Sequence, residues 1–188
     1  LDPKVFAQVV ALMDKASTVA TFGVASSGYV AMDAQLKLNR LGKSSIAWRD
    51  AHSALTSISL LKRGDLLIAV SHSGTTLDVV DVITSFKERG IRIVLITNAM
   101  RSPAANLADL VLYTSARETT FRSGATASRI AQLTVVDCLC VALAQRNWRS
   151  TKAALDTSRA AVRNRSGQKA NEQEGVQSQN SSCSRGGK

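Results

Sequence analysis

Two short apolar runs in this chain each end in a cluster of hydroxyls. Thr18 to Ala25 runs into Ser26, Ser27 and Gly28, and Leu66 to Val70 runs into Ser71, His72, Ser73, Gly74, Thr75 and Thr76. A strand that ends in such a turn and continues as a helix surrounds one small volume with hydroxyls, free backbone N–H groups and the positive end of a helix dipole. That is chemistry for an anion, phosphate above all. The first turn spells GxxxxG from Gly23 to Gly28, but Tyr29 and Val30 follow where a nucleoside-triphosphate loop places lysine and serine or threonine. No GxGxxG with an acidic residue at the end of the second strand is present, which disfavours a dinucleotide. Donors that are mainly neutral suit a single phosphate group carried by a small organic molecule.

The turns are positioned by alternating helices and strands. Asp2 and Pro3 predict the start of a helix that carries Phe6, Val9, Val10 and Met13 on one face and ends near Ser17. After the first strand a helix is expected from Gly28 to about Leu41, closed by Gly42, then a short strand from Ser45 to Trp48 and a helix capped by Asp50 that runs to about Leu61. Leu66 to Val70 is the third strand. Thr76 to Arg89 reads as helix, Ile91 to Thr97 as the fourth strand, Pro103 as the start of a short helix and Leu110 to Tyr113 as the fifth strand. The last long element, Arg122 to Asn147, is apolar nearly all round and so predicts a helix buried in the core or at a subunit interface. Apolar strands separated by helices imply α/β architecture, a three-layer sandwich around a five-stranded parallel sheet. In the flavodoxin-like order, strands one and three lie side by side at the topological switch point, which brings both hydroxyl-rich turns to one crevice.

The 188 residues, 45% apolar and 20% charged, predict one core of ordinary size. No apolar run approaches the roughly 20 residues that cross a bilayer, and Leu1, Asp2, Pro3, Lys4 do not resemble a secretory signal, so a soluble protein without membrane partners is expected. The chain starts at Leu1, which leaves room for an upstream segment. Its three cysteines contain no CxxC pair and lie far in sequence from His52 and His72, which argues against a metal and for a reducing cytoplasm; Cys138 and Cys140 read as small core residues. Of the +10 net charge, +4 lies from Thr151 onward; the remaining basic residues look scattered and are not interleaved with aromatics, which supports only weak, salt-sensitive, sequence-blind association with nucleic acid. Residues 1–150 are expected to form the main domain and 151–165 a helical extension. The polar stretch 166–188 is expected to be disordered, since it has too few apolar side chains to offset its ordering entropy.

Three segments carry a family resemblance. Ser71 to Thr76 fits the SxSGxT signature of SIS (sugar isomerase) domains, and GVASSGYVAMD, from Gly23 to Asp33, is similar to their first phosphate loop. RETTFRSGATASRIAQLTVVDCLCVALAQRN, from Arg117 to Asn147, resembles the effector domain of RpiR-family transcription regulators. The resemblance spans Leu1 to about Arg165 and implies the SIS fold, with Ser27, Ser71, Ser73 and Thr76 as phosphate ligands and no cofactor. Ser26, Gly74 and Thr75 adjoin them. His72 either places its side chain near a sugar or offers only its backbone N–H. The loop after strand five lies at the same sheet edge; there Glu118 either accepts from sugar hydroxyls or acts as a base, or else pairs with Arg117 or Arg122, while Arg122 or Arg129 is positioned for a ligand carboxylate or phosphate. Asp137 reads as a buried hydrogen-bonding or interface residue.

Three functions follow from these readings. The resemblance favours a sugar-phosphate or sugar-acid sensor from a regulator of carbohydrate metabolism. In such a regulator, homodimeric or tetrameric, a helix-turn-helix part preceding this region would read operator DNA. A free-standing aldose–ketose isomerase would draw on Glu118 and His72 as its acid–base groups. A catalytically inert oligomerisation module would keep the pocket only as a vestige.

Overall fold

The computed structural model describes residues 1–117 and 126–163. In chain order these residues form α1 (Pro3–Lys15), β1 (Val19–Gly23), α2 (Ser26–Arg40), β2 (Ser45–Trp48), α3 (Ala51–Thr56), a 3-10 turn (Ile58–Leu60), β3 (Leu66–Val70), α4 (Leu77–Glu88), β4 (Arg92–Thr97), α5 (Pro103–Leu107), β5 (Leu110–Tyr113), α6 (Thr126–Arg146) and α7 (Trp148–Arg163). All five strands are parallel, in the order β2-β1-β3-β4-β5. The α/β class and the adjacency of strands one and three are as the sequence predicts.

Local chemistry sets the boundaries. Asp2 Oδ1 accepts from the backbone N–H of Lys4 at 2.7 Å and of Val5 at 3.3 Å, with Pro3 in the first turn of α1. Asp50 caps α3 by accepting from Ser53 N at 2.7 Å. Side chains alternate between the two faces of the sheet. Val19, Ile68, Val70 and Val94 pack under α1, α2 and α6, whereas Ala20, Phe22, Leu67 and Leu95 pack under α3, α4 and α5. On the second face Trp48 and Phe86 meet edge to face, 5.9 Å between ring centroids. Every residue of β1 and β3 is buried, the condition that makes central parallel strands read as continuous apolar runs.

Several expectations change. The helix after Asp50 ends at Thr56 and passes into a 3-10 turn; it does not run unbroken to Leu61. Helix α6 is not buried all round: Val135, Val136, Leu139 and Leu143 face the core, while Ile130 and Val141 are about 60% exposed. Its length and mean hydropathy reach those of a membrane span, as those of a core helix can, although Arg129 and Asp137 interrupt its apolar run. Cys140 is buried, and desolvation pushes its thiol up to about 11, but Cys138 is exposed, because positions two apart on a helix face apart. Asp137 is exposed as well; it pairs with Lys37 across the α2–α6 contact, and Lys37 also meets Asp33 at 2.7 Å. Burial works against the charge on Lys37, but the two carboxylates outweigh it and hold its pKa above the ordinary value. The expected disordered tail lies outside the described residues.

The end of α1 is fastened to the end of α6. The Asp14 carboxylate accepts from Asn147 Nδ2 and, at 2.8 Å, from Arg146 Nε, while Lys43 Nζ donates to the Asp14 carbonyl at 2.8 Å. The hydrogen bonds from Asn147 and Arg146 hold the Asp14 pKa below the usual carboxylate range. A depressed folded-state pKa contributes stability that is present above the unfolded-state value, near 4, and is lost as pH falls through the folded-state value. Asp14→Asn should therefore lower stability at pH 7 by up to about 1 kcal/mol, since Arg146 is half exposed and the pair is screened. Denaturant unfolding should show this deficit at pH 7 and little of it at pH 3.

Candidate functional site

The parallel register sets Gly23, the last residue of β1, beside Val70, the last of β3. The two hydroxyl-rich turns therefore leave the sheet side by side. Together they line one cleft of about 220 Å³, whose walls include Ser26 and Ser27 from the first turn and Ser71, His72, Ser73 and Thr76 from the second, with apolar flanks from Val24, Val70 and Val79. Helices α2 and α4 both begin here, so two positive dipole ends converge on the same volume.

The first turn is tight because two glycines allow it. A Cβ on Gly23 would lie 2.5 Å from the Ser27 carbonyl oxygen, and one on Gly28 would lie 2.9 Å from the Gly23 oxygen. Between them Ala25 adopts φ 51°, ψ −121°, a left-handed conformation that costs a non-glycine residue about 1–3 kcal/mol. Thr21 Oγ1, donating to the Ala31 carbonyl at 2.7 Å from inside the core, fixes α2 to β1 beneath this turn.

The second turn is held from the neighbouring strand. Ser71 N donates to the Ile96 carbonyl, and the His72 carbonyl accepts from Asn98 N at 3.1 Å and from Thr97 Oγ1 at 3.2 Å. Gly74, at φ +64°, sits so close to the α5 cap that a Cβ there would lie 2.2 Å from Ser102 Oγ. Part of the hydroxyl chemistry is spent locally, since Ser71 Oγ accepts from Gly74 N at 3.1 Å and Ser73 Oγ from Thr75 N at 3.3 Å. Helix capping, however, does not account for the cluster. Ala25 is the cap residue of α2, and Thr76, at the cap position of α4, makes no side-chain cap hydrogen bond. Ser26 Oγ and His72 Nδ1 are both buried with no hydrogen-bond partner among the described residues, and a group with acceptor and donor capacity in the cleft would satisfy them.

Of the residues singled out in the sequence, Ser26, Ser27, Ser71, His72, Ser73 and Thr76 are brought together, while Gly74 and Thr75 shape the second turn without lining the cleft. Glu118 and Arg122 lie outside the described residues, and half-buried Arg129 on the first turns of α6 is not among the lining. Sequence reasoning missed the strain at Ala25 and the support from Thr97, Asn98 and Ser102. Their only signal is a cluster of polar residues where β4 ends. No cluster of metal-ligating side chains occurs among the described residues.

The SIS domain family model matches residues 12–142. An uncharacterised HTH-type transcriptional regulator of Caldanaerobacter subterraneus is 41% identical over 76% of this chain and 51% of its own length. The HTH-type transcriptional regulator RpiR of Escherichia coli is 38% identical over 67% of this chain and 43% of its own. The chain thus spans about half the length of the curated relatives it matches. Among solved structures, the NanR protein of Vibrio vulnificus complexed with ManNAc-6P superposes with a TM-score of 0.81 at 30% identity, over 88% of this chain and 62% of that one. The sugar isomerase domain of an RpiR transcription factor from Sphaerobacter thermophilus, 24% identical with a TM-score of 0.76 over 85% of this chain and 87% of that one, shares the fold.

The two turns predict opposite responses to a single methyl group. Ala25→Gly should raise stability by about 1 kcal/mol by relieving the left-handed alanine. Gly74→Ala should lower it by at least the 1–2 kcal/mol of a left-handed non-glycine residue, and by more through the Ser102 contact. Thermal unfolding of the two variants checks both signs.

Proposed function

The chain belongs to the SIS domain family and aligns within it with regulators of the RpiR type, and from that premise we propose that it is the sugar-phosphate-sensing part of a transcription regulator. The observation that carries this reading is the single cleft at the β1–β3 junction, lined by hydroxyls from two turns, entered by two helix N-termini and holding two buried polar atoms without partners among the described residues. Such a site recognises a phosphomonoester dianion through neutral donors and fixed dipoles, as a sensor that must release its ligand requires. Ser26, Ser27, Ser71, Ser73 and Thr76 are proposed to hold the phosphate, and His72 Nδ1 to meet its oxygens or the sugar. That NanR was solved with a phosphorylated amino sugar supports a ligand of the same chemical class here.

Sensing is favoured over isomerisation by the lining itself. An aldose–ketose isomerase uses acid–base groups on both sides of the substrate, whereas His72 is the one side chain of that kind among the described lining residues. We place the SIS domain at residues 1–150 with 151–165 as its extension, in a homodimer of the cytoplasm for which exposed Leu36, Ile130 and Val141 on α2 and α6 supply apolar area. Reading of operator sequence is assigned to the HTH portion that the relatives' names describe.

A thermal-shift series with phosphorylated sugars, ManNAc-6-phosphate and arabinose 5-phosphate included, tests the site. A bound ligand at one hundred times its Kd should add about 2.7 kcal/mol of stability. Ser27→Ala and Ser71→Ala should each weaken binding about tenfold or more, since each removes a donor to a charged oxygen. If both variants keep the full shift, the phosphate is held elsewhere; turnover of ketose to aldose by the unmodified chain would replace the sensor by an enzyme.

A further inference from the structure

In a parallel sheet with one helix after each strand, every strand begins at one pole and every ligand-binding turn lies at the other. We propose that the strand-start pole, opposite the cleft, is a contact surface for the phosphate backbone of duplex DNA, independent of sequence. The choice of DNA rests on the regulator reading above; the surface itself rests on charge and topology. The basic residues that look scattered along the sequence gather there: Lys15 at the end of α1, Arg40 at the end of α2, Lys62 and Arg63 before β3, Arg89 at the end of α4, Arg92 opening β4. All six are exposed.

Helix dipoles explain only part of this. Cations at helix C-termini are stabilising, which accounts for Lys15, Arg40 and Arg89. Lys62 and Arg63 end no helix, and Arg92 starts a strand. Arg149 and Lys152 stand in the first turns of α7, which carries no acidic residue there, so they oppose the dipole. Helix dipoles thus leave five cations at one pole unexplained, of which Arg92 is paired with Asp109 at 3.4 Å.

Among the described residues, the carboxylates at this pole are Asp14, Asp65, exposed Glu88 and Asp109, fewer than the eight cations named above, so the balance stays positive. Asp65 is 3% exposed and is consumed by the backbone N–H groups of Thr18 and Lys62, at 2.8 and 2.9 Å. Asp14 is engaged by Arg146 and Asn147, and Asp109 accepts from Ile93 N at 2.7 Å beside Arg92. The contacts also make the pole continuous: Asp14 ties the ends of α1 and α6, Asp65 ties the starts of β1 and β3, and Arg63 Nε lies 3.4 Å from a Cβ built on Gly90, next to Arg89. Five strands spaced by about 4.8 Å give a surface roughly 20 Å wide, over which duplex DNA presents about one charge per 1.7 Å.

The test is fluorescence anisotropy of the full chain with a labelled 24-base-pair duplex of arbitrary sequence, from 50 to 200 mM salt. If about four phosphates are neutralised, log K falls with log salt at a slope near −3.6, an affinity loss of about 100-fold across that range. Arg63→Gln combined with Arg149→Gln and Lys152→Gln should weaken binding at low salt about tenfold or more and reduce the slope by roughly 2 to 3. Ser27→Ala, which acts at the cleft, should leave duplex binding unchanged, so a failed sensor and a failed DNA contact are separately visible. The proposal is overturned if the triple variant binds as the parent does, if Arg185→Gln with Lys188→Gln alone abolishes binding, or if the parent binds anionic phospholipid vesicles and not DNA.

Discussion

The pairing of β1 with β3 is the interaction on which the rest of the structure depends. Each strand is buried along its whole length, and their register leaves Gly23 beside Val70 at the edge where both chains turn into helices. A slip of one residue would turn the apolar side chains of a strand toward the wrong helical layer. It would also separate the two serine turns by a strand step of about 3.3 Å and rotate one of them away. The cleft is therefore a consequence of core packing: Phe22 and Leu67 on one face, Val19 and Ile68 on the other, hold the hydroxyls in place more firmly than the hydroxyls hold each other.

The same constraint explains why the turns are tight. Glycine at 23 and 28 lets the start of α2 approach the end of β1 to a distance no Cβ would tolerate, and Gly74 lets the second turn lie against Ser102. Close approach directs backbone N–H groups and hydroxyls inward; strain is concentrated at Ala25, where packing on both sides overrides the local preference of the residue. Ser71 and Ser73 meanwhile stabilise their own turn, so these hydroxyls shape the site as well as offering donors to it.

Much of this arrangement is legible in the sequence, for identifiable reasons. Apolar runs ending in hydroxyls, Asp2–Pro3, and glycine after α2 are local signals, and local signals survive without coordinates. The order of strands is legible because five alternating units admit few topologies. What escaped reading depends on partners distant in sequence. Asp137 looked buried because its helix is apolar, yet its position is set by Lys37, one hundred residues earlier. The exposure of Cys138 and Val141 follows from which side of α6 meets α2, and helical spacing alone does not name that side. The gathering of basic residues at one pole is hidden for the same reason: Lys62, Arg92 and Arg149 are far apart along the chain and reach one pole only when the strands assemble in parallel.

The two poles are physically linked through the helices between them. Helix α2 presents Ser26 and Ser27 at its positive end and Arg40 at its negative end, so the dipole that favours an anion in the cleft also favours a cation at the opposite pole. Part of the charge separation is thus built into any fold that points helix N-termini at a phosphate with neutral donors. The remainder is not, because a dipole accounts for cations in last turns and works against those in the first turns of α7. Arg149 and Lys152 contribute two of the ten net positive charges, and the first turn of their helix carries no acidic residue to offset them. Residues that oppose both the local dipole and the global charge are retained at a cost to folding stability, and the compensation lies in what that surface meets.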